Sequence, residues 1–328
     1  MDKKFHTNLI VSSAPHIVTE LDTTRLMGSV LLALAPAWVA SMFIFGIRAL
    51  LLSVVCVAAS ALFEYLYNVI THKKQTVGDL SAALTGLLIA FNVPSNFPFW
   101  QAIIGCLFAI VVVKQLFGGI GKNFSNPAIT ARIFLFISFS ANMSTWPLTK
   151  LSSTPDAVTG PTPLALYAEG STDQLPGLLQ MFVGFHGGST GEVCALALLI
   201  GGLYPIIRKV ISPIIPCAFI GTVFVFGFIY GSATGGNGLY WGMFHVLAGG
   251  VMLGAFFMAT DYVTSPKLPL GQLIFGIGCG IITMSIRLFG SYPEGVSFSI
   301  LLMNICTPLL NNLSYKYYLK EGGAKDGK

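Results

Sequence analysis

The sequence predicts an all-α polytopic membrane protein with about ten transmembrane helices, and three observations lead to this fold class. Hydrophobic residues make up 54% of the 328 residues and charged residues only 9%, against about 25% charged residues in ordinary soluble domains. The mean hydropathy is +0.76. Ten apolar segments follow one another along the chain, most of them near the roughly 20 residues that a membrane span needs. This composition excludes a soluble enzyme, a disordered chain and a nucleic-acid-binding protein.

The ten segments form one predicted membrane domain over residues 26–313. In chain order they lie at residues 26–46, 48–70, 79–93, 98–117, 127–141, 190–207, 213–231, 241–260, 270–289 and 295–313. The third and fifth are short, so we expect them to be tilted or to cross only part of the membrane. Residues 1–25 and 314–328 are predicted to be cytoplasmic tails, and the first of these lacks the apolar core of a signal peptide.

The basic residues indicate the orientation of this membrane domain. With the N-terminus in the cytoplasm, fourteen of the 18 basic residues fall on the cytoplasmic side, as the positive-inside rule requires. They are Lys3, Lys4, Arg25, Lys73, Lys74, Lys114, Lys122, Arg208, Lys209, Lys267, Lys316, Lys320, Lys325 and Lys328. Arg48, Lys150 and Arg287 fall outside, and Arg132 lies within the fifth helix. Both termini are therefore predicted to be cytoplasmic.

A weak internal repeat suggests two inverted halves. Pro94 and Pro266 are 172 residues apart, and the tripeptide Leu-Phe-Gly recurs with the same spacing at 116–118 and 288–290. Repeat one would then cover residues 26–141 and repeat two residues 190–313. An odd number of helices in each half makes such repeats inverted in the membrane. The polar residues 142–189 between the two repeats are predicted to form a long extracytoplasmic loop. Loops of this length without obvious structure are usually functional or disordered.

Several other patterns have structural explanations. Gly276 and Gly280, like Gly250 and Gly254, are spaced for close helix packing. The six cysteines lie in apolar segments without metal-ligand spacing, and we interpret them as small core residues; they are Cys56, Cys106, Cys194, Cys217, Cys279 and Cys306. The five histidines show no helical metal pair either. We therefore predict no metal site and no catalytic residue.

Four charged residues fall within or beside apolar segments, where charge is energetically expensive. They are Glu64, Arg132, Asp261 and Arg287. Snorkelling of the side chain to the membrane surface explains each one singly. A polar pocket or ion path lined by some of them explains them equally well.

The long loop contains the segment Asp-Ala-Val-Thr-Gly-Pro-Thr-Pro-Leu at 156–164. Composition alone predicts a turn there. Together with residues 122–132, 261–266 and 290–304, however, this segment resembles a family of membrane flavoproteins. That family comprises the RnfD component of the Rnf complex and its counterpart in the sodium-pumping NADH:quinone reductase. The resemblance covers nearly the whole chain, from about residue 13 to residue 312.

In that family, a threonine in a D-x-x-[ST]-G-A-T loop carries FMN through a phosphoester bond made by a separate flavin transferase. The resemblance implies that Thr162 is this threonine, with Asp156, Thr159, Gly160 and Pro161 as motif residues. Pro161 stands where the family usually has Ala. It removes an N–H that the transferase could recognise, yet we expect flavin attachment because the acceptor itself remains.

The resemblance also implies a function. The chain would be an electron-transfer subunit of a ferredoxin:NAD⁺ oxidoreductase that translocates Na⁺ or H⁺ across the cytoplasmic (inner) membrane of a bacterium or archaeon. Its partners would be Rnf subunits A, B, C, E and G, including the iron–sulfur subunits and a second FMN subunit, with the flavin transferase and membrane lipid. A non-covalent riboflavin is implied as well. As further cofactor-binding residues we predict Tyr292 and Glu294, with Asn126 and Asp261 for the riboflavin.

Two other functions fit the sequence. A cofactor-free secondary transporter or channel would also show inverted repeats and short helices, and a purely structural anchor would tolerate loss of Thr162. The sequence has no ATP-binding motif and no nicotinamide-binding fold, so NAD and ferredoxin would bind other subunits. Covalent flavin distinguishes the redox subunit from both alternatives.

Overall fold

The computed structural model describes residues 22–147, 159–290, 292 and 294–325. Helices make up 72% of the structure and no strand occurs among the described residues, which confirms an all-α protein. Asp156, a predicted motif residue, lies outside the described residues. The α-helices of the described part are α1 (Thr23–Phe45), α2 (Ile47–Ile70), α3 (Ser81–Phe91), α4 (Phe99–Leu107), α5 (Pro127–Ser138), α6 (Ser140–Met143), α7 (Pro163–Ala168), α8 (Leu178–Val183), α9 (Ala195–Ile207), α10 (Ile214–Ala233), α11 (Gly238–Leu247), α12 (Val251–Leu253), α13 (Pro269–Phe289) and α14 (Val296–Lys325).

Each predicted apolar segment corresponds to a helix or a broken helix. Five helices, α1, α2, α10, α13 and α14, are long and apolar enough to cross a membrane. The α11–α12 pair, bent by 65° between its two parts, gives a sixth. Four shorter apolar helices, α3, α4 with its continuation, α5 and α9, complete the series. The structure thus supports a polytopic protein, while ten crossings and the inverted repeat stay predictions.

The shortness of the third and fifth segments is confirmed. Helix α3 has 11 residues and α5 has 12. Asn126 starts α5 because its side-chain oxygen accepts from the N–H groups of Ala128 and Ile129, and Pro127 occupies the first helical position, which needs no N–H. The sixth predicted segment began too early: residues 190–194 belong to a buried loop, and α9 begins at Ala195.

Two helices change to π-helical geometry in their second parts. Helix α4 continues as a π-helix over Phe108–Gln115, and α12 continues in the same way over Gly254–Met258. Such widened turns are rare and frequently mark functional positions. The first of them carries Lys114, which the charge pattern assigns to the cytoplasmic ends of helices.

Lys114 is buried, not at a solvated helix end, and it pairs with Glu64 of α2. Its Nζ lies 3.0 and 3.1 Å from the two carboxylate oxygens of Glu64 and 2.6 Å from Oγ of Ser81. Glu64 also accepts from Thr76 and Gln115. Snorkelling is therefore wrong for Glu64: a buried ion pair with a complete set of hydrogen bonds neutralises its charge.

Glycines set the closest helix contacts. A Cβ on Gly201 of α9 would lie 2.1 Å from the carbonyl oxygen of Ala33 in α1. Gly276 and Gly280 face α10 in the same close manner, which confirms the packing interpretation. Gly254 packs against α14, but Gly250 faces the carboxylate of Glu192 instead of a helix.

One hydrophobic cluster extends through both halves of the chain, from α1 to α14, which accords with a single membrane domain. Cys56, Cys106 and Cys279 belong to this core. Cys217 is exposed on α10, so the core interpretation is wrong for that residue, and Cys194 and Cys306 are half-buried. Contact between α2 and α4 brings the thiol of Cys106 to the carbonyl oxygen of Cys56 at 3.6 Å.

We predict that Gly201→Ala destabilises the protein by about 1–3 kcal/mol, because the added methyl group forces α1 and α9 apart. The measurement is the midpoint of thermal unfolding in detergent solution. Gly221→Ala in α10 is the control, since a Cβ there meets no atom within 4 Å and alanine favours helix. Equal midpoints for the two variants would contradict the close α1–α9 contact.

We predict that Lys114→Met lowers the free energy of unfolding by about 3–5 kcal/mol, because it leaves the carboxylate of Glu64 buried without its cation. Lys122→Met, at an exposed lysine further along the same connection, is expected to change little. Both are compared with the wild type by thermal unfolding in detergent. A Lys114→Met variant as stable as the wild type would contradict a stabilising role for the buried ion pair.

Candidate functional site

A cavity of about 810 Å³ lies at one end of the helix bundle, beside the C-terminus of α5 and the N-terminus of α14. We call this end of the bundle the Thr162 end. The residues that line the cavity are Arg132, Ile133, Phe136, Ile137, Ser140, Met143, Ser144, Thr145, Trp146, Thr159, Gly160, Pro161, Thr162, Ala165, Glu169, Tyr292, Glu294, Ser297 and Phe298. Most of the motif predicted from the sequence therefore borders a single cavity of ligand size.

The motif is held in place by backbone pairing with the residues that follow α6. Thr159 forms an isolated antiparallel bridge with Pro147, and the N–H of Gly160 donates to the carbonyl of Trp146 at 3.0 Å. Gly187 packs against the carbonyls of Gly160 and Pro161 and against Trp146. The loop thus has a defined conformation at the cavity wall, although much of the segment before it lies outside the described residues.

Thr162 stands between two prolines, Pro161 and Pro163. A residue before proline is restricted to extended conformations, and Thr162 has φ −74° and ψ 159°. Pro161 in turn fixes its own φ. Pro161 and Pro163 therefore stiffen the backbone on both sides of Thr162, which lies in the cavity wall.

The hydroxyl of Thr162 caps helix α7. Its oxygen accepts from the N–H of Ala165 at 3.2 Å, while the whole residue is 5% exposed. The cap uses the oxygen as an acceptor and not the hydroxyl hydrogen. An ester formed at this oxygen replaces only the hydrogen, so the arrangement is compatible with modification of the hydroxyl.

Three aromatic rings form one wall of the cavity. The rings of Phe136 and Tyr292 meet edge to face at 5.3 Å, and those of Tyr292 and Phe298 are stacked at 6.0 Å. Tyr292 is half-exposed, at 51%, so part of its ring remains available. Exposed aromatic faces favour stacking with another flat ring.

Arg132 lies at the floor of the cavity, one turn into α5, and it joins both halves of the chain. Its guanidinium donates to Asn92 Oδ1 at 3.2 Å and to Ser297 Oγ at 3.0 Å. It also forms an ion pair with Glu294 and lies 4.0 Å from Oε2 of Glu192. Snorkelling is therefore wrong for Arg132, which is 7% exposed and held by buried partners.

The loop that carries Glu192 is buried because helix α3 ends inside the bundle. The carbonyl groups at the end of a helix have no partners within it, and this loop supplies donors to them. The hydroxyl of Thr190 donates to Ala90, its N–H donates to Val93 at 3.2 Å, and the N–H of Gly191 donates to Phe91 at 3.0 Å. The loop consequently brings Glu192 beside Arg132.

Arg287 donates hydrogen bonds to backbone carbonyls at the end of α11, as the loop at residues 190–191 does at the end of α3. Its guanidinium donates to the carbonyls of His245 and Ala248 at 2.6 and 2.8 Å. The ring of Tyr167 in α7 packs edge to face against His245 at 5.2 Å, which attaches the helix behind Thr162 to the bundle. Burial, with a smaller contribution from Tyr230, raises the pKa of Tyr167 to about 12.

The electrostatics of the cavity floor favour a proton on one carboxyl group. Burial, together with the neighbouring carboxylate of Glu192, raises the pKa of Glu294 to about 7. Arg132 and Arg287 act in the opposite direction but do not outweigh these two effects. Near neutral pH, Glu294 is therefore poised between its charged and neutral forms.

The structure brings six of the predicted site residues together. Thr159, Gly160, Pro161, Thr162, Tyr292 and Glu294 all line the cavity. Glu192 was missed because an acid in a loop gives no signal of burial. The run of small residues before it at 187–191 was the available hint that the loop can approach another backbone closely.

The other two predicted residues do not line this cavity. Asn126 caps α5 and donates to the carbonyl of Met258 at 3.1 Å, while Asp261 accepts from Thr264 at 2.9 Å. Burial raises the pKa of Asp261, against the hydrogen bonds from Thr264 and its neighbours. A second cavity of about 360 Å³ is lined by the residues that flank Asp261, among them Thr260 and Tyr262.

Comparison with known proteins gives a consistent result along almost the entire chain. Residues 10–319 match the model of the NQR2, RnfD, RnfE family. The chain is 47% identical over 309 residues to the D component of the Na⁺-translocating ferredoxin:NAD⁺ oxidoreductase complex of Acetobacterium woodii, covering 94% of each chain. It is 42% identical over 315 residues to the D component of the proton-translocating ferredoxin:NAD⁺ oxidoreductase complex of Clostridium ljungdahlii, covering 93% of this chain and 94% of the relative.

A third relative, the D component of the ion-translocating oxidoreductase complex of Shewanella amazonensis, is 36% identical over 344 residues, covering 94% of this chain and 96% of the relative. The matched region, residues 10–319, contains the whole cavity at the Thr162 end, both π-helical segments and the Glu64–Lys114 pair. The chain therefore belongs to the NQR2, RnfD, RnfE family.

Proposed function

We propose that this chain is the membrane flavoprotein subunit of a redox-driven Na⁺ or H⁺ pump of the ferredoxin:NAD⁺ oxidoreductase type, with FMN bound covalently to Thr162. The observation that carries the proposal is that Thr162, whose hydroxyl oxygen caps α7, is one of the residues that line an aromatic-walled cavity. The names of the relatives support the place of the chain in such a complex.

The residues present fit FMN in several respects. The volume of about 810 Å³ falls within the roughly 300–1,000 Å³ typical of small-molecule sites. The ring wall of Phe136, Tyr292 and Phe298 offers flat apolar surface for the flavin ring system. The hydroxyl of Thr162 is an oxygen to which a phosphoester can form, and Thr145 and Ser144 add polar atoms along the same cavity.

The chain and the cofactor have different tasks in this proposal. A bound flavin supplies the one- and two-electron chemistry, which no side chain of this cavity performs. The loop at residues 159–162 holds the cofactor, and the aromatic wall orients it. Arg132, with Glu192 and Glu294, sets the local charge. Electrons would pass between this site and the iron–sulfur and flavin carriers of the partner subunits.

We also infer the arrangement of the chain in the cytoplasmic (inner) membrane. Ten crossings with both termini in the cytoplasm place the Thr162 end on the extracytoplasmic side, which agrees with the distribution of basic residues. A non-covalent riboflavin near Asn126 and Asp261 belongs to the same proposal. The cavity beside Thr260 and Tyr262, on the inferred cytoplasmic side, offers space for this riboflavin. The relatives' names include both Na⁺ and protons, so the transported ion stays open.

We predict that Thr162→Val abolishes covalent flavin, because valine has no hydroxyl group to esterify. The helix bundle stays folded, because the variant loses only one hydrogen bond, at the start of the six-residue helix α7. The chain is produced with its flavin transferase, denatured and examined for in-gel flavin fluorescence. Mass spectrometry of the peptide that contains Thr162 then shows whether it is heavier by FMN less one water.

Thr145→Val is the matched control, since Thr145 lines the same cavity and lies outside the motif. The control is expected to keep the fluorescence. A dark wild-type band with an unmodified peptide would contradict the proposal and favour a cofactor-free transporter, or a motif inactivated by Pro161.

We predict that Tyr292→Ala keeps the covalent link but exposes the flavin ring to solvent, because the ring loses part of its aromatic wall. Iodide quenching of flavin fluorescence in the native protein is expected to increase. Tyr262→Ala, which changes a similarly exposed tyrosine at 45% beside the second cavity, is expected to leave the quenching of the covalent flavin unchanged. Identical quenching in all three proteins would show that the ring lies elsewhere.

A further inference from the structure

The carboxyl group of the buried Glu192 and that of the half-buried Glu294 meet beside Arg132, and each has one buried oxygen without a donor. Oε1 of Glu192 accepts from the N–H of Ser189 at 3.0 Å, and Oε2 of Glu294 accepts from Arg132. The other oxygens, Oε2 of Glu192 and Oε1 of Glu294, are buried and have no hydrogen-bond partner. Glu192 is only 3% exposed, whereas the side chain of Glu294 is 18% exposed and borders the cavity.

Both carboxyl groups lie within ion-pair distance of the same nitrogen of Arg132, Nη2, and a hydrogen bond between them contributes to the raised pKa of Glu294. Two ionised carboxylates cannot form such a bond, because each can only accept. One proton placed between them supplies the missing donor to both oxygens, as in other pairs of neighbouring carboxyl groups. The pair is therefore built to hold a single proton.

The surrounding charges explain why this site suits a proton and not a metal cation. Arg132 contacts both carboxyl groups, and Arg287 lies close enough to affect the charge of Glu294. Two guanidinium groups repel a further metal cation, whereas a proton forms a covalent O–H bond within the pair. Glu192, Arg132 and Arg287 are the titratable and charged groups that act on Glu294.

We propose that the Glu192–Glu294 pair is a redox-linked proton-binding site, which takes up one proton when the cofactor in the cavity gains an electron. This inference rests on the proposed function, because it requires a flavin on Thr162. The electron comes from a reduced iron–sulfur or flavin carrier of a partner subunit. The proton comes from the solvent: one O–H bond of a hydronium ion breaks, one carboxyl O–H bond forms at the pair, and a neutral water molecule is left.

The reason for the coupling is electrostatic. An electron added to a cofactor in this cavity adds one negative charge beside Glu294, which lines the cavity. That charge makes the ionised form of the pair less favourable and so raises its proton affinity. By linkage, protonation of the pair makes reduction of the cofactor more favourable to the same extent. A pKa of about 7 for Glu294 places this exchange in the physiological range.

The test uses the purified membrane complex and two measurements. Redox-induced infrared difference spectra report the carboxylic C=O stretch, and potentiometric titration reports the midpoint potential of the Thr162-linked flavin between about pH 6 and pH 8. The flavin signal is identified by its loss in Thr162→Val. The wild type is expected to gain a carboxylic C=O band on reduction and to show a pH-dependent midpoint potential.

Glu294→Gln and Glu192→Gln are each expected to abolish that band and to weaken the pH dependence, since either change removes the shared proton site. Glu169→Gln is the matched control, because Glu169 lines the same cavity but is exposed. An unchanged band in both glutamine variants overturns the proposal. Having two variants keeps the test decisive if one of them fails to accumulate.

The failure of this inference is distinguishable from the failure of the proposed function. In Thr162→Val, without covalent flavin, a pH titration of the carboxylic band still reports proton binding by the pair. If the band of Thr162→Val titrates near neutral pH and is absent from the double variant Thr162→Val/Glu294→Gln, the proton site is established without the redox linkage. If the wild-type flavin is present but its reduction leaves this band unchanged, the redox linkage is wrong while the flavin proposal stands.

Discussion

The guanidinium of Arg132 carries a permanent charge into the interior of a bundle whose outer surface is apolar, and much of the site is arranged around its neutralisation. A charge at such depth is stable only when fixed partners replace water. Those partners come from three separate segments: Asn92 after α3, Glu192 in the loop before α9, and Glu294 with Ser297 at the start of α14. One side chain thereby fixes the relative positions of the two halves at the Thr162 end.

A second constraint, the satisfaction of backbone carbonyls, acts on the same place. Helix α3 stops at Phe91 within the bundle, and its last carbonyls need donors that lipid cannot supply. Thr190 and Gly191 provide them, which draws the following acid, Glu192, into the interior beside Arg132. The short helix, the inserted loop and the buried acid are thus consequences of one another.

Much of the fold was predictable because its main signal is local. Composition and spacing within a few residues account for the apolar segments and for the short α3 and α5. They also account for the close packing of Gly276 and Gly280 against α10. The site was predictable only in part. Thr162 was predicted from the resemblance of its segment to a known motif. The roles of Glu192 and Lys114 depend on partners about 50 or more residues away along the chain, which periodicity cannot reveal. Asp261 serves its own local turn, whereas Asn126 caps α5 and also donates to the distant carbonyl of Met258.

The hydrogen-bonded groups around Arg132 bear on the choice between a redox subunit and a simple ion pathway. A hydrated ion that entered at Thr162 would meet the Arg132–Glu294 pair directly, with Asn92 and Ser297 bound behind it. Passage between these groups would break hydrogen bonds that also hold the two halves together. Electrons and single protons need no such opening, since electrons transfer between fixed cofactors and a proton needs only a carboxyl pair. The geometry at this end of the bundle therefore favours redox chemistry linked to proton binding over the passage of a hydrated ion through the same cavity.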